Sequence, residues 1–442
     1  MTDELVRPQA GMQVQAQKTA AGSGTKRLPT AAGTALDLVA MATSGAASGA
    51  TSGAVSMPSR WSIEVCTDDS IWDRGTELCS QWNRLWERCP RATVFQHSAW
   101  LGAWWASYGE PGRLRVVLVR DDGNLVAAAP LRLCRRGPLT VLTLVGNGIS
   151  DFGTVLVADS GRRSEAVAEL RRALAGLHRP IDLRELPPDA DALLLADEWP
   201  HKVRRWPDST CLSLPARSFD ETVRALPRRT ASRVRGKSRK IDALGVLALT
   251  TPADQATETI VDLLRLHREQ WQDRGISPEH LTERFRAHLT EAVPALITAG
   301  HADLIRYELD GELLGCELML HSPSSAGSYL SGLSPRLRQR IDLATLMLRN
   351  GLGLATQREA TEYSMLRGLE PYKLRWSPQM ERNERVLLGG RALGTTPLYA
   401  AAITGRKRAV KLIKKALRRE DHTAKDMRAR LGDDDWTGAE QP

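Results

Sequence analysis

The sequence predicts an α/β chain of two similar domains, each a mixed twisted sheet flanked by helices, after a leading segment with no core. Three observations predict it. At 442 residues the chain exceeds what one ordinary core fills. Helical apolar spacing alternates along it with short strand-like runs. The run DGNLVAAAPLRL (122–133) is echoed by DGELLGCELML (310–320), 188 residues later. The domains are expected at 59–210 and 211–390.

Residues 1–58 are rich in Ala, Gly, Ser and Thr and almost free of aromatics. Such a segment buries too little apolar surface to offset its ordering entropy, so it is expected to be disordered. Trp72, Trp82, Trp86, Trp100, Trp104 and Trp105 crowd the next stretch at helical spacing. They form either a core stripe or a ligand-stacking face. Leu114–Arg120 and Leu125–Leu133 read as strands joined at Asp121–Asn124, where Gly123 supplies positive φ. Strands near 139–145 and 153–158, a helix near 162–177 and a strand near 181–186 follow. His301–Tyr307, Asp310-Gly311 and Glu312–His321 repeat the hairpin.

Two basic segments punctuate the chain. Thr222–Ile241 holds eight cations and no acid. It is either a solvated helix or a surface for a polyanion. Residues 391–442 form a tail in which Arg406–Arg419 has eight basic residues, with Val410, Ile413 and Leu417 on one face. That helix either lies on an anionic membrane surface or packs on the second domain.

Composition excludes several classes. Net charge is +9 with pI near 9.4. The six cysteines (66, 79, 89, 134, 211, 316) show no CxxC and read as buried free thiols. Nine scattered histidines give no HExxH, so no metal is expected. GxGxxG, GxxxxGK[ST] and GxSxG are absent. No apolar run has membrane-spanning length, and the Ala/Val segment at 31–41 is broken by Asp37. A cytoplasmic protein is the expectation, peripheral to the membrane if the tail binds lipid.

The densest chemistry lies between Tyr329 and Trp376. An apolar run ending at Leu333 meets Pro335, then Arg336, Arg338, Gln339 and Arg340. A helical pattern spans Ile341–Leu354, and Arg367-Gly368 and Tyr372-Lys373 follow a short strand. A strand, a cationic loop and a helix N-terminus can hold a phosphorylated ligand.

At this point the residues resemble a family. VFQHSAWLGAWWASYG (94–109), VLVRDDGNLVAAAPLRL and SDFG (150–153) resemble the CelD/BcsL-type acetyltransferases of the GNAT superfamily, relatives of the FemABX peptidyltransferases. RRTASRVRGKSRKIDALG (228–245), LLRLHREQWQDRG (263–275), YLSGLSP and LRGLEPYKLRW (366–376) follow in the family's order. The resemblance spans roughly 61–390. It implies two tandem GNAT-like folds, with acetyl-CoA or another acyl-CoA in the opening where the strand ending near Leu333 splays from its neighbour. Leu333, Arg336, Arg338, Gln339 and Arg340 are the implied acyl-CoA contacts. The chain departs from the family loop PxxRGxGxG: Arg338 matches, but the glycines do not. Asp342 stands at the helix start as an N-cap, where its charge opposes a pyrophosphate. The family's acidic residue in its DFLRG segment is Ser364 here.

The candidate site follows from these positions. Tyr372 either protonates the leaving thiolate or ties the last strands together. Lys373 holds a phosphate or an acidic acceptor, and Arg367 and Glu370 lie beside it. Glu317 is either an inward base or a surface carboxylate by strand alternation. Tyr329 and Ser331 share a strand face toward the acceptor. His267 and Trp271 share a helix face, as acceptor contacts or as packing. Asp151 and Phe152 mark a corresponding cleft in the first domain, or a turn. The leading function is acyl transfer from acyl-CoA to an amine or hydroxyl of a sugar, polysaccharide precursor or other envelope-related acceptor. The alternatives are an aminoacyl-tRNA-dependent transferase and a non-catalytic accessory protein.

Overall fold

Both DG turns close two-residue hairpins of one type. Asp122 and Gly123 take φ of 45° and 81°, and Asp310 and Gly311 take 54° and 78°. Positive φ at both central positions matches the strand twist, and Asp tolerates it. The computed structural model describes residues 60–272, 276–391 and 394–405. The expected disordered segment and the basic tail helix at 406–419 lie outside the described residues.

Around those hairpins the chain runs the same plan twice. The first pass is β1 (Trp61–Cys66), α1 (Glu77–Glu87), α2 (Ser98–Tyr108), β2 (Leu114–Asp121), β3 (Asn124–Arg136), β4 (Leu139–Leu144), a two-residue β5 (Leu156–Val157), α3 (Arg163–Gly176), β6 (Ile181–Leu186), α4 (Asp191–Leu194) and β7 (Val203–Pro215). After α5 (Phe219–Arg224) and the basic α6 (Arg228–Leu244) comes the second pass. It is β8 (Leu247–Thr250), α7 (Ala256–Trp271), α8 (Glu283–Thr298), β9 (Ala302–Leu309), β10 (Glu312–His321) and β11 (Ser325–Leu333). It continues through α9 (Pro335–Arg340), α10 (Leu343–Gln357), β12 (Glu362–Arg367), α11 (Pro371–Leu374) and β13 (Gln379–Leu388). The cationic run read from the sequence as an open loop is the helical turn α9. Ser334 accepts from the Arg336 N–H as its N-cap, and Pro335 opens it at the position proline favours.

The two passes share one mixed sheet of order β1-β2-β3-β4-β6-β13-β7-β12-β11-β10-β9-β8, with β5 beside β3. The order is symmetric about the β13/β7 pair. β4/β6 and β11/β12 are its parallel pairs; the remaining pairs are antiparallel. Each half lends its last strand to the other. β13 lies between β6 and β7, and β7 pairs with β12. A boundary at 210/211 therefore falls inside β7, and the described residues lie within one compact unit, Pro58–Pro442.

The helices cover this sheet with a core common to both halves. Trp82, Trp86, Trp100 and Trp104 pack into one cluster with Phe285, Leu289 and Leu304. All six tryptophans of the first stretch are buried, which settles them as core. Full burial of side chains this large contributes about 3 kcal/mol each. All six cysteines are buried and free. In the second half α7 presses against β11 at Gly332. A Cβ there would lie 2.3 Å from the His267 backbone N and 2.5 Å from the Leu263 carbonyl O. Only a glycine permits that approach, and it brings His267 onto the strand.

Candidate active site

β11 and β12 pair at only three positions, Ser325–Gly327 against Glu362–Ser364, and then part. Two features force them apart. On β11 the register slips between Leu318 and Met319 of the partner strand, leaving Tyr329 as the extra residue of a bulge. On β12 Leu366 has φ of 56° and Gly368 of 113°, and Arg367 pairs with Cys211 on β7 instead. The gap is a cavity of about 260 Å³. Its walls are Ser328–Ser331 of β11, Tyr363 and Met365–Arg367 of β12, and Ala344, Met347 and Leu348 of α10.

Most sequence-predicted residues meet here. His267 and Trp271 of α7, Tyr329 and Ser331 of β11, Arg367 of β12, and Glu370, Tyr372 and Lys373 around α11 all line the cavity. Tyr329 is committed to packing as well: its hydroxyl donates to the Ile149 carbonyl (2.9 Å) and its ring meets Trp100 edge-on. Lys373, buried, donates to the Arg367 carbonyl (2.8 Å) and pairs with Glu370 at 2.9 Å. Tyr372 stands at the rim. Burial of its hydroxyl end, then Glu370 and Glu317, push its pKa up, so the phenol stays protonated and can donate to a developing thiolate.

Arg367 joins the halves across this cavity. It forms ion pairs with Asp151 and with Glu185 (3.4 Å). Burial works against its charge, but the two carboxylates outweigh that and raise its pKa. Burial pushes Asp151 upward against the pull of Arg367. Asn383 of β13 donates to the Asp151 carbonyl (3.4 Å) and to Glu185 (3.3 Å). The SDFG segment thus has two roles. Gly153 N–H donates to the Glu185 carbonyl (2.8 Å) and fills the gap beyond β4 and β6, where about 10 Å³ remains. Asp151 is thereby delivered to the second cleft. Glu185, Asn383 and His280 were missed by sequence reasoning. Glu185 and Asn383 lie in ordinary strand patterns, and His280 sits on the short turn Pro278–Leu281 with no period to flag it.

The expected acyl-CoA contacts lie elsewhere. Arg336, Arg338, Gln339 and Arg340 are exposed on α9, and Arg336 pairs with Glu312. Leu333 is buried, its N–H donating to Gln270 Oε1 (2.8 Å). Asp342 caps α10: Oδ1 accepts from the Thr345 N–H (2.9 Å) and hydroxyl (2.7 Å), and Lys237 (2.6 Å) and Arg375 (3.2 Å) pair with Oδ2. Burial opposes its ionisation, but hydrogen bonds from Lys237, Thr345 and Arg375 hold the carboxyl well below the usual range. The chain's own carboxylate occupies the anion site that a helix N-terminus, a lysine and an arginine create.

Glu317 does not line the cavity. It is fully buried on β10 and accepts from the Tyr307 hydroxyl at 2.6 Å. Burial pushes its pKa up to about 7, against Ser328 and Tyr307. A carboxyl raised in the folded state stabilises the fold below its unfolded pKa, and that contribution is lost as pH rises through 7. Glu317→Gln keeps the shape and the acceptor for Tyr307. The variant is expected to gain about 3 kcal/mol over wild type at pH 8 and little at pH 4.5, by urea denaturation. Equal pH dependence in both proteins would show that Glu317 ionises freely.

Residues 228–374 match the model of an acetyltransferase (GNAT) domain. The structure of FemX is similar over 70% of this chain and 95% of that one, at 14% identity and a TM-score of 0.52. A conserved protein of unknown function from Bacteroides thetaiotaomicron is matched over 70% of this chain and 96% of that one (10%, 0.48). A tandem GNAT protein from the clavulanic acid biosynthesis pathway is matched over 75% of this chain and 100% of that one (15%, 0.37). No curated protein matches the sequence. The splayed parallel strands, the helix beside them and the family match together identify the second half of this chain, residues 228–374, as carrying the GNAT-type acyltransferase fold.

Proposed function

We propose that this chain transfers an acyl group in the cleft between β11 and β12, from an acyl-CoA to an amine or hydroxyl of a sugar, polysaccharide precursor or other envelope-related acceptor. The observation that carries the reading is the cleft itself: strands that part after three paired residues, with α10 alongside. The equivalent gap in the first half is filled, so the second half does the chemistry. The sugar acceptor and the CelD/BcsL affiliation rest on sequence resemblance. A thioester in the cleft would be met by the Tyr372 phenol at its sulfur side, and the acceptor by the polar residues around Asp151, Arg367 and Glu370.

A second reading has its own observation. Asp342 fills the helix N-terminus that would otherwise receive a pyrophosphate, while Arg228, Arg229, Arg233, Arg235, Arg239 and Lys240 lie exposed along α6. That arrangement favours an acyl group carried on tRNA, held by salt-sensitive contacts to its backbone.

Calorimetric titration decides between them. Acetyl-CoA is expected to bind wild type, and about 5-fold more tightly to Asp342→Asn, which keeps the cap and removes the charge. No acetyl-CoA binding by either protein, with tRNA affinity that falls steeply with salt, would replace the first reading by the second.

A further inference from the structure

We infer that His280 takes the proton from the attacking group of the acceptor, and that His267 is the positioning residue that orients the His280 ring. The inference rests on the acyl-transfer reading of the cleft.

The hydrogen bonds fix both tautomers. His267 Nδ1 lies 2.7 Å from the Ser331 carbonyl O, which only accepts, so Nδ1 carries the proton. In a neutral ring Nε2 is then an acceptor, and its partner is His280 Nδ1 at 3.1 Å. His280 must donate from Nδ1, which leaves a lone pair on its Nε2. His280 lines the cavity. Its ring stacks on Phe285 at 4.7 Å and 17°, so Phe285 holds its plane and His267 holds its edge.

Burial keeps both rings neutral. Burial, then His267, push the His280 pKa down to about 4; Arg367 of β12 adds to this and Glu279 opposes it. Glu279 is itself held by Arg284 (2.7 Å) and the Tyr108 hydroxyl (2.8 Å), and Arg367 is paired with Asp151. Burial lowers His267 also, against its bond to Ser331. The cleft thus presents an unprotonated but weak base. An amine acceptor's nitrogen becomes positive as it bonds the carbonyl carbon and so releases its proton readily to such a base. In the step, the amine lone pair forms the C–N bond and the N–H proton passes to His280 Nε2. The C–S bond breaks, the thiolate leaves with the electron pair and takes its proton from the Tyr372 phenol, which water reprotonates, and His280 returns its proton to solvent.

Two measurements on the full chain test this. The first is thiol release from acetyl-CoA with glucosamine, which offers both an amine and hydroxyls. His280→Gln is expected to lower kcat about 100-fold with the KM for acetyl-CoA unchanged. His267→Leu is expected to lower kcat likewise, and His267→Gln, whose amide oxygen can accept from His280, to restore part of it. The second is modification of the wild-type protein by diethyl pyrocarbonate, mapped by mass spectrometry, with N-acetylhistidine as reference. From pH 7.5 to 5.5 the reference slows as its ring protonates, while His280 is expected to keep its rate until His267→Leu disturbs it. No thiol release by wild type would overturn the acyl-transfer reading and this assignment with it. Turnover by wild type and His280→Gln at equal rates, or His280 slowing in step with the reference, would overturn the assignment alone.

Discussion

Acidification to pH 4.5 is expected to strip most of the stability from this fold, well before carboxylate protonation alone would do so. The cause is a set of histidines buried as neutral rings. His97 packs edge-on against Trp86 (5.0 Å) and beside His301 (4.9 Å), and its Nδ1 accepts from the Ala99 N–H at 3.2 Å. That bond exists only in the unprotonated state. His288 is fully buried, 4.4 Å from the Trp100 ring. Burial pushes both down to about 3, and His280 to about 4. His267, His301 and His321 are lowered in the same direction, again by burial first. For such groups the neutral form is the one the fold holds. Their contribution is intact above the unfolded imidazole value near 6.5 and is lost as pH falls toward the folded value. By pH 4.5 His97 and His288 each cost about 3 kcal/mol, and His280 nearly as much. Glu317, protonated over the same range, offsets about one of the three, and the remainder still matches the stability of a marginal domain, about 5 kcal/mol. Urea denaturation from pH 7 to 4.5 measures it. The slope should lessen by about one proton in His288→Met, which fills the same apolar site. A stability that stays level over this range would mean that these rings protonate without leaving the fold.

How far the sequence foretold this molecule depends on whether each feature is local. The paired hairpins at Asp122-Gly123 and Asp310-Gly311 were legible because positive φ at two adjacent residues restricts the residue types to a few. The cleft residues were legible in part for a similar reason. Tyr329 and Ser331 alternate along one strand, and Arg367 to Lys373 follow the strand that must part from it. The exchange of β7 and β13 left no trace, because antiparallel partners are chosen by packing across the whole sheet and not by any neighbour in sequence. The α9 turn was readable and was misjudged: Ser334-Pro335 is a helix-start signal, but the cations after it suggested a loop. Glu317 resolved toward the inside, and its partner Tyr307 came from the adjacent strand, beyond the reach of alternation.

Replacing Arg367 is expected to be the most damaging single change at the join of the two halves. Its guanidinium answers two carboxylates, Asp151 and Glu185, which are 8% and 6% exposed. Arg367→Leu keeps apolar bulk but leaves both acids buried together without a cation. Breaking a buried pair in this way costs about 3–5 kcal/mol, more than the intact pair contributes, because the remaining charges have lost their solvation. The alternative for the protein is to protonate Asp151, which burial already pushes upward. Arg367→Leu should therefore recover stability as pH falls toward 6.5, opposite in sign to the histidine effect that sets in below that value. Adding Asp151→Asn should return a large part of the loss, since it removes one uncompensated charge and keeps the backbone carbonyl that Asn383 donates to. Thermal or urea denaturation of the two single variants and the double gives the coupling directly. A coupling below about 0.5 kcal/mol would show that solvent reaches the pair and that the halves are held by the shared sheet alone. A coupling of several kcal/mol would make Asp151 a structural partner of the cleft, supplied by the half whose own cleft is closed.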